Sequence, residues 1–210
     1  MRPWYADPAA EDIVDVCQHY GVPVIETLKT NSEETRTALR NLDVDLALSL
    51  GNTYLGKKLF SIPKHGMINV HEEVLPAYQG AQSIIWPIHD GNRETGFTIH
   101  QVDEAIDTGR ILYQRTFPIQ FFPTLGETVV NNLVTCRNMV PAAVTSVCED
   151  YEAIYRNSLT QPRGRSYTTP SFWQFLRMKR MNARFWQEQE SRGVRTDTND
   201  SEPQIRRKSA

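Results

Sequence analysis

Apolar and polar positions along this chain form blocks whose period shifts between that of a helix and that of a strand. In residues 13–20, Ile13, Val14, Val16, Cys17 and Tyr20 recur at helical spacing. Asp7, Pro8 and Gly21 supply a cap, a first-turn proline and a stop for that helix. "VPVIE" predicts a short strand and "TNSEETRTALRNL" a second, capped helix. "VDLALSLG" is a continuous apolar run ending at Gly51, the pattern of a buried strand. "TYLGKKLFSI" predicts a short helix or turn, "GMINVH" a strand, and "QSIIWPIHDG" a helix interrupted at Pro87. "GFTIHQVD" alternates like a strand, and "GRILYQRTFPI" predicts another. Residues 125–155 predict a long helix kinked or broken at Pro141, and "TTPSFWQFLRMKRMNARFW" a helix capped at Thr169 and Pro170.

Strands alternating with helices imply an α/β layered fold around a mostly parallel sheet, turning mixed where loops join the later strands. The expected organisation is a catalytic domain over residues 1–155, a basic and aromatic extension over 156–187, and a disordered tail over 188–210. A chain of 210 residues with 40% hydrophobic and 23% charged residues is ordinary for a globular domain with a sizeable core. No apolar run approaches the about 20 residues of a membrane span. The chain opens without the layout of a secretory signal, which implies the cytoplasm. The 3 cysteines, Cys17, Cys136 and Cys148, are widely spaced and suggest neither a disulfide framework nor a zinc site.

Charge is uneven. Residues 153–187 contain no Asp or Glu but carry Arg156, Arg163, Arg165, Arg177, Lys179, Arg180 and Arg184, whereas the whole chain sums to −2. An anionic partner for the C-terminal third follows; affinity of the whole chain for nucleic acid does not.

Residue types bearing chemistry gather in two places. In the strand "GMINVH", Asn69 and His71 are two apart and share a face. They stand at its carboxyl end, where open α/β sheets place ligands. Asp107, in the loop "DEAIDTGRI", is free to turn toward the same edge. An amide that donates to a developing oxyanion, an imidazole that takes a proton and a carboxylate that orients it suit acyl transfer to an amine. No Ser or Cys is placed as a nucleophile, so direct transfer between two bound substrates is expected. The same residues also suit a strand-end pair and an ordinary Asp-Thr-Gly turn.

The stretch "GMINVHEEVLPAYQGAQSIIWPIHDGNRETGFTIHQVDEAIDTGRILYQ" resembles the core of the folate-dependent formyltransferases. The resemblance rests on the Asn-x-His strand end, the Leu-Pro and aromatic-x-Gly loop, the Glu-Thr-Gly-x-Thr strand and the Asp-Thr-Gly loop, and it extends over about residues 13–118. It implies a Rossmann-like fold, N-terminally truncated in that the family's opening strand, helix and second strand have no counterpart here. It also implies transfer of a formyl group from N10-formyltetrahydrofolate to an amine, with Asn69, His71 and Asp107 in the catalytic places. Leu50, Gly51, Asn52 and Tyr54, together with Asp103 and Ile106, would line the pterin pocket, and no metal is implied. The chain departs from the family pattern at Glu72-Glu73, where small or hydroxyl residues are usual, and at Gln79, where a base is common.

Among acceptors, a nucleotide-linked amino sugar suits the modest C-terminal addition best, with room for a homodimer. A methionyl-tRNA acceptor, a formyltetrahydrofolate hydrolase and a non-catalytic folate-binding remnant are the alternatives. The face Trp173, Arg177, Arg180 and Arg184 reads as a solvated basic surface, with recognition of a nucleotide or RNA as the rival reading. His100 reads as a packed or hydrogen-bonded histidine, and Glu72 and Glu73 as exposed loop acids.

Overall fold

Short polar side chains start the helices, and apolar faces decide where they lie. The computed structural model describes residues 12–51, 53–191 and 193. Helix α1 (Ile13–His19) begins at Asp12, whose carboxylate accepts the Val14 amide; Asp7 and Pro8, the expected cap, lie outside the described residues. Ser32 caps α2 (Glu33–Asn41) by accepting the Thr35 amide. Between them, "VPVIE" forms no strand: Val22, Val24 and Ile25 stay exposed. Pro23 offers no amide to a ladder, and the run finds no partner strand among the described residues.

The strands are β1 (Ala47–Ser49), β2 (Met67–His71), β3 (Gln79–Gly80), β4 (Glu94–Gln101), β5 (Ile111–Pro118) and β6 (Ser166–Tyr167). The main sheet runs β1-β2-β4-β5, and β3 pairs with β6. It is mixed, as the loop-joined later strands imply, and less parallel than expected. Strands β1 and β2 are parallel, but β2–β4 and β4–β5 are antiparallel. Without a full crossover helix, consecutive strands turn back on themselves.

Alternation sorts the two faces of this sheet. Ile68, Phe97 and Ile99 are fully buried against α5 (Leu125–Glu149) and α6 (Tyr151–Asn157), where they meet Cys136, Val147 and Tyr151. Each such side chain contributes about 1.5–3 kcal/mol by leaving water. A reciprocal Thr124–Glu127 capping box starts α5. Pro141 does not end that helix. It lies at an exposed position, where a freed carbonyl can face solvent, and the break comes instead at Asp150.

The short helices α3 (Lys57–Phe60) and α4 (Ile85–Asp90) flank the strand ends. Pro87 lies in the first turn of α4, where no intrahelical donor is lost, so it does not interrupt the helix. Helix α7 (Phe172–Ser191) starts at Ser171, whose hydroxyl and amide exchange hydrogen bonds with Gln174, rather than at Thr169. It packs Met178 and Phe185 against α4 and α5. It also continues through residues 188–191, which the composition assigns to the tail.

Candidate functional site

Register sets the site. Asn69 pairs with His100 and His71 with Thr98 across β2–β4, so Asn69, His71, Thr98 and His100 share one face while Val70 packs toward α5. The loop after β4 then folds back tightly. A Cβ on Gly109 would lie 1.7 Å from the Gln101 carbonyl oxygen, so only glycine fits there. Asp103 builds the turn by accepting the Ala105 amide and the Thr108 hydroxyl. Asp107 takes a left-handed φ of 54° and swings its carboxylate back over β2 and β4.

There Asp107 Oδ2 accepts the Gly80 amide at 2.8 Å and lies 3.6 Å from His71 Nδ1, while Oδ1 lies 3.4 Å from His100 Nε2. Gly80 is fixed in turn by β3–β6: with φ 106°, a Cβ here would meet the Tyr167 carbonyl at 2.2 Å.

Backbone carbonyls settle the protons, because a carbonyl only accepts. His71 Nε2 donates to Tyr78 O at 2.6 Å, leaving the Nδ1 lone pair facing Asp107. His100 Nδ1 donates to Gln101 O at 2.9 Å, so its Nε2 accepts from Asn69 Nδ2 at 3.2 Å. The Asn69 amide is thereby oriented, with its second N–H available to a ligand.

Burial pushes the His71 imidazole below its ordinary value, opposed by the charge of Asp107. For Asp107, burial acts upward, but the adjoining His100 and His71 rings and the Gly80 amide, which donates to Oδ2, together hold the carboxyl below the usual range. The arrangement sets a neutral imidazole and a carboxylate 3.6 Å apart, close enough for the carboxylate to stabilise the imidazole's charged form. It can orient an amine, take its proton and donate an amide N–H to an oxyanion.

A cavity of about 190 Å³ adjoins these groups, lined by Asn69, His100, Asp107, Asp103, Ala105, Ile106, Val102, Tyr54 and neighbours. Of the residues expected around a pterin, Tyr54, Asp103 and Ile106 line it; Leu50 and Gly51 do not, and Leu50 is exposed. Asn52 lies outside the described residues. The wall at Tyr54 is held by Asn31, whose amide donates to Tyr54 O and accepts the Gly56 amide.

His100 is packed and hydrogen-bonded, as its sequence reading has it, and it joins the network through Asn69. Two other site neighbours differ from their sequence reading. Glu73 is not an exposed acid: it is 2% exposed, beneath the loop that follows His71. Glu72 is half-buried and paired with Arg137. Gln79, replacing a base, is also buried, and its amide holds the Gly164 amide and the Pro162 carbonyl. Among the described residues no cluster of His, Cys, Asp or Glu is arranged to hold a metal, and no helix is long and apolar enough to cross a membrane.

Comparison with known proteins agrees with this fold. The chain is 44% identical over 101 residues to a methionyl-tRNA formyltransferase of Anaeromyxobacter sp. (strain K), a match covering 48% of this chain and 32% of that protein. A methionyl-tRNA formyltransferase of Citrifermentans bemidjiense is 39% identical over 105 residues, 50% of this chain and 33% of that one. The chain thus spans about a third of the length of the curated relatives it matches. Among solved structures, phosphoribosylglycinamide formyltransferase from Bacillus halodurans superposes with a TM-score of 0.58 at 25% identity, covering 71% of this chain and 80% of that one. A formyltransferase of Anoxybacillus kamchatkensis, solved with UDP-4,6-dideoxy-4-formamido-L-AltNAc and tetrahydrofolate, shares the fold at 23% identity and TM-score 0.50, covering 73% and 78%. The formyl transferase family model matches residues 6–136, a span that holds Asn69, His71, His100 and Asp107 and more than half of the sequence. On that match the chain belongs to the folate-dependent formyltransferase family.

Proposed function

We propose that this fold transfers a formyl group from N10-formyltetrahydrofolate to a primary amine. The supporting observation is the convergence of Asn69, His71 and Asp107 at the carboxyl end of β2, beside a cavity of about 190 Å³. That volume is below the about 300 Å³ of a drug-sized pocket, so it suits the flat ring end of a folate and leaves its tail outside.

In the reaction the amine nitrogen attacks the formyl carbon, and the carbonyl π electrons move onto oxygen. The free N–H of Asn69 stabilises that oxyanion. His71 Nδ1 takes the proton lost by the amine, and the Asp107 carboxylate stabilises the imidazolium. As the carbon–N10 bond breaks, that proton passes from His71 to N10, giving a formamide and tetrahydrofolate. Gly80, by donating to Asp107 Oδ2, holds that oxygen toward His71 and leaves Oδ1 toward His100.

The acceptor we propose is a nucleotide-linked amino sugar, the class to which the product bound in the Anoxybacillus kamchatkensis formyltransferase belongs. A second reading, the amine of methionyl-tRNA, is favoured by the names of the relatives at 39–44% identity. Tetrahydrofolate release is to be followed while amino-sugar nucleotides and methionyl-tRNA are offered separately. Release dependent on a sugar nucleotide supports the first reading, and release dependent on methionyl-tRNA replaces it with the second. Release without any amine means hydrolysis and overturns both.

A further inference from the structure

Glu73 is a buried carboxylate that the transfer chemistry leaves unused. Burial drives its carboxyl up to about 7, against three hydrogen bonds that favour its charge. Oε1 accepts the Ile84 amide at 2.5 Å and the Thr95 hydroxyl at 2.9 Å; Oε2 accepts the Val74 amide at 3.2 Å. Among the described residues, no cation contributes to holding it. Ile84 has a φ of 69°, a conformation that strains a β-branched residue and persists only where its surroundings impose it. The Glu73 backbone is fastened as well: its carbonyl accepts the Thr98 hydroxyl, which itself accepts the Leu75 amide.

The segment pinned at these two ends, residues 73–84, is the one that reaches the site. Its Tyr78 carbonyl receives the His71 N–H, and its Gly80 amide donates to Asp107. Both contacts depend on where β4 holds the loop. We infer that Glu73 is a positioning residue: its carboxylate ties both ends of the 73–84 loop to each other and to β4, and so sets the tautomer of His71 and the orientation of Asp107. Protonation would place a donor where donors converge, loosening that strut. The titratable neighbours are Glu72 on the same loop, paired with Arg137 of α5 at 3.2 Å; Tyr78 on the loop, held up to about 12 by burial; and Cys136 on α5, likewise held up to about 12. Strand β4 presents Thr95. Neither Tyr78 nor Cys136 ionises near neutrality, which leaves Glu73 to titrate there.

The kinetic part of this role rests on the formyl-transfer reading; the structural part does not, and the experiment separates them. In the full chain, the Gly80 amide proton and the His71 ring nitrogens are followed by NMR in wild type and Glu73→Gln, beside turnover as a function of pH. In Glu73→Gln the Gly80 amide moves upfield and the His71 titration shifts toward its ordinary value. Its kcat at pH 8 falls on the order of tenfold to a hundredfold, while KM for the folate donor holds. The wild-type rise in kcat through about pH 7 disappears. Thr95→Val, which removes one donor and keeps the acid, moves both NMR signals the same way by less, and it decides the matter if Glu73→Gln does not fold. Unmoved Gly80 and His71 signals in a folded variant overturn the assignment. A wild type without turnover overturns the transfer reading, while the NMR shifts still decide whether Glu73 positions the loop.

Discussion

Replacing Asn69 by Ala separates chemistry from architecture more cleanly than any other change in the site. The side chain is half-buried and donates one hydrogen bond, to His100 Nε2 at 3.2 Å. Losing a single such bond costs folding about 1 kcal/mol, which for a domain of this size lowers Tm by about 2–4 °C. In the proposed reaction the same amide presents its other N–H to the oxyanion. Removing one such donor costs about 2.7–4 kcal/mol in the transition state, or about 10²–10³ in kcat. The ground-state formyl oxygen carries little charge, so KM for the donor should change little. Tetrahydrofolate release under saturating substrates gives kcat, and thermal melting of the same preparation gives Tm. A folded Asn69→Ala chain with kcat within about fivefold of wild type, far short of the loss an oxyanion donor accounts for, refutes the oxyanion role. A rise in KM with kcat unchanged would mean that Asn69 binds ground state and transition state alike.

Three further outcomes follow from the same geometry. Because burial holds His71 below its ordinary value, its activity limb lies below pH 6.5 in a wild-type pH–rate profile, and Asp107→Asn, by removing the charge that opposes burial, moves the His71 titration lower still, read by NMR of its ring nitrogens. Burying His71 neutral adds stability that is present above its unfolded value and is lost as pH falls through the folded one. Glu73 works in the opposite direction. Its folded value of about 7 lies above 4.5, so its stabilising contribution is full below pH 4.5 and is lost as pH rises through 7. That amounts to about 3 kcal/mol at 1.36 kcal/mol per pH unit, and urea denaturation across this window should show the stability gap between wild type and Glu73→Gln shifting toward the variant. Gly109→Ala forces a methyl against the Gln101 carbonyl and should cost about 1–3 kcal/mol by melting, with turnover falling further as Asp107 is displaced.

Much of the site was legible because strand geometry is simple. A two-residue spacing put Asn69 and His71 on one face, and an Asp-Thr-Gly loop between strands left Asp107 free to turn toward the sheet end, where the structure brings it. Tertiary pairing hid the rest. His100 enters the network only because register sets it opposite Asn69, and a single strand carries no record of its partner's register. Glu73 read as an exposed acid because its donors, Ile84 and Thr95, lie 11 and 22 residues away. "VPVIE" had the composition of a strand without a neighbour to pair with. Pro141 carried the signature of a helix break, yet its exposed position in α5 makes the missing bond tolerable. The balance of parallel and antiparallel pairing was hidden for a related reason: helical periodicity around Pro87 suggested a crossover, whereas α4 is only 6 residues long.

Formyl transfer followed by label tests the central claim most directly. N10-formyltetrahydrofolate carrying an isotope in its formyl carbon is incubated with the chain and an amine acceptor, and the products are separated by mass. The account predicts label in a new formamide, in step with tetrahydrofolate release, and loss of both in His71→Asn and Asp107→Asn chains that still fold. Label appearing as free formate, or moving to the amine at wild-type rate in those variants, would contradict it.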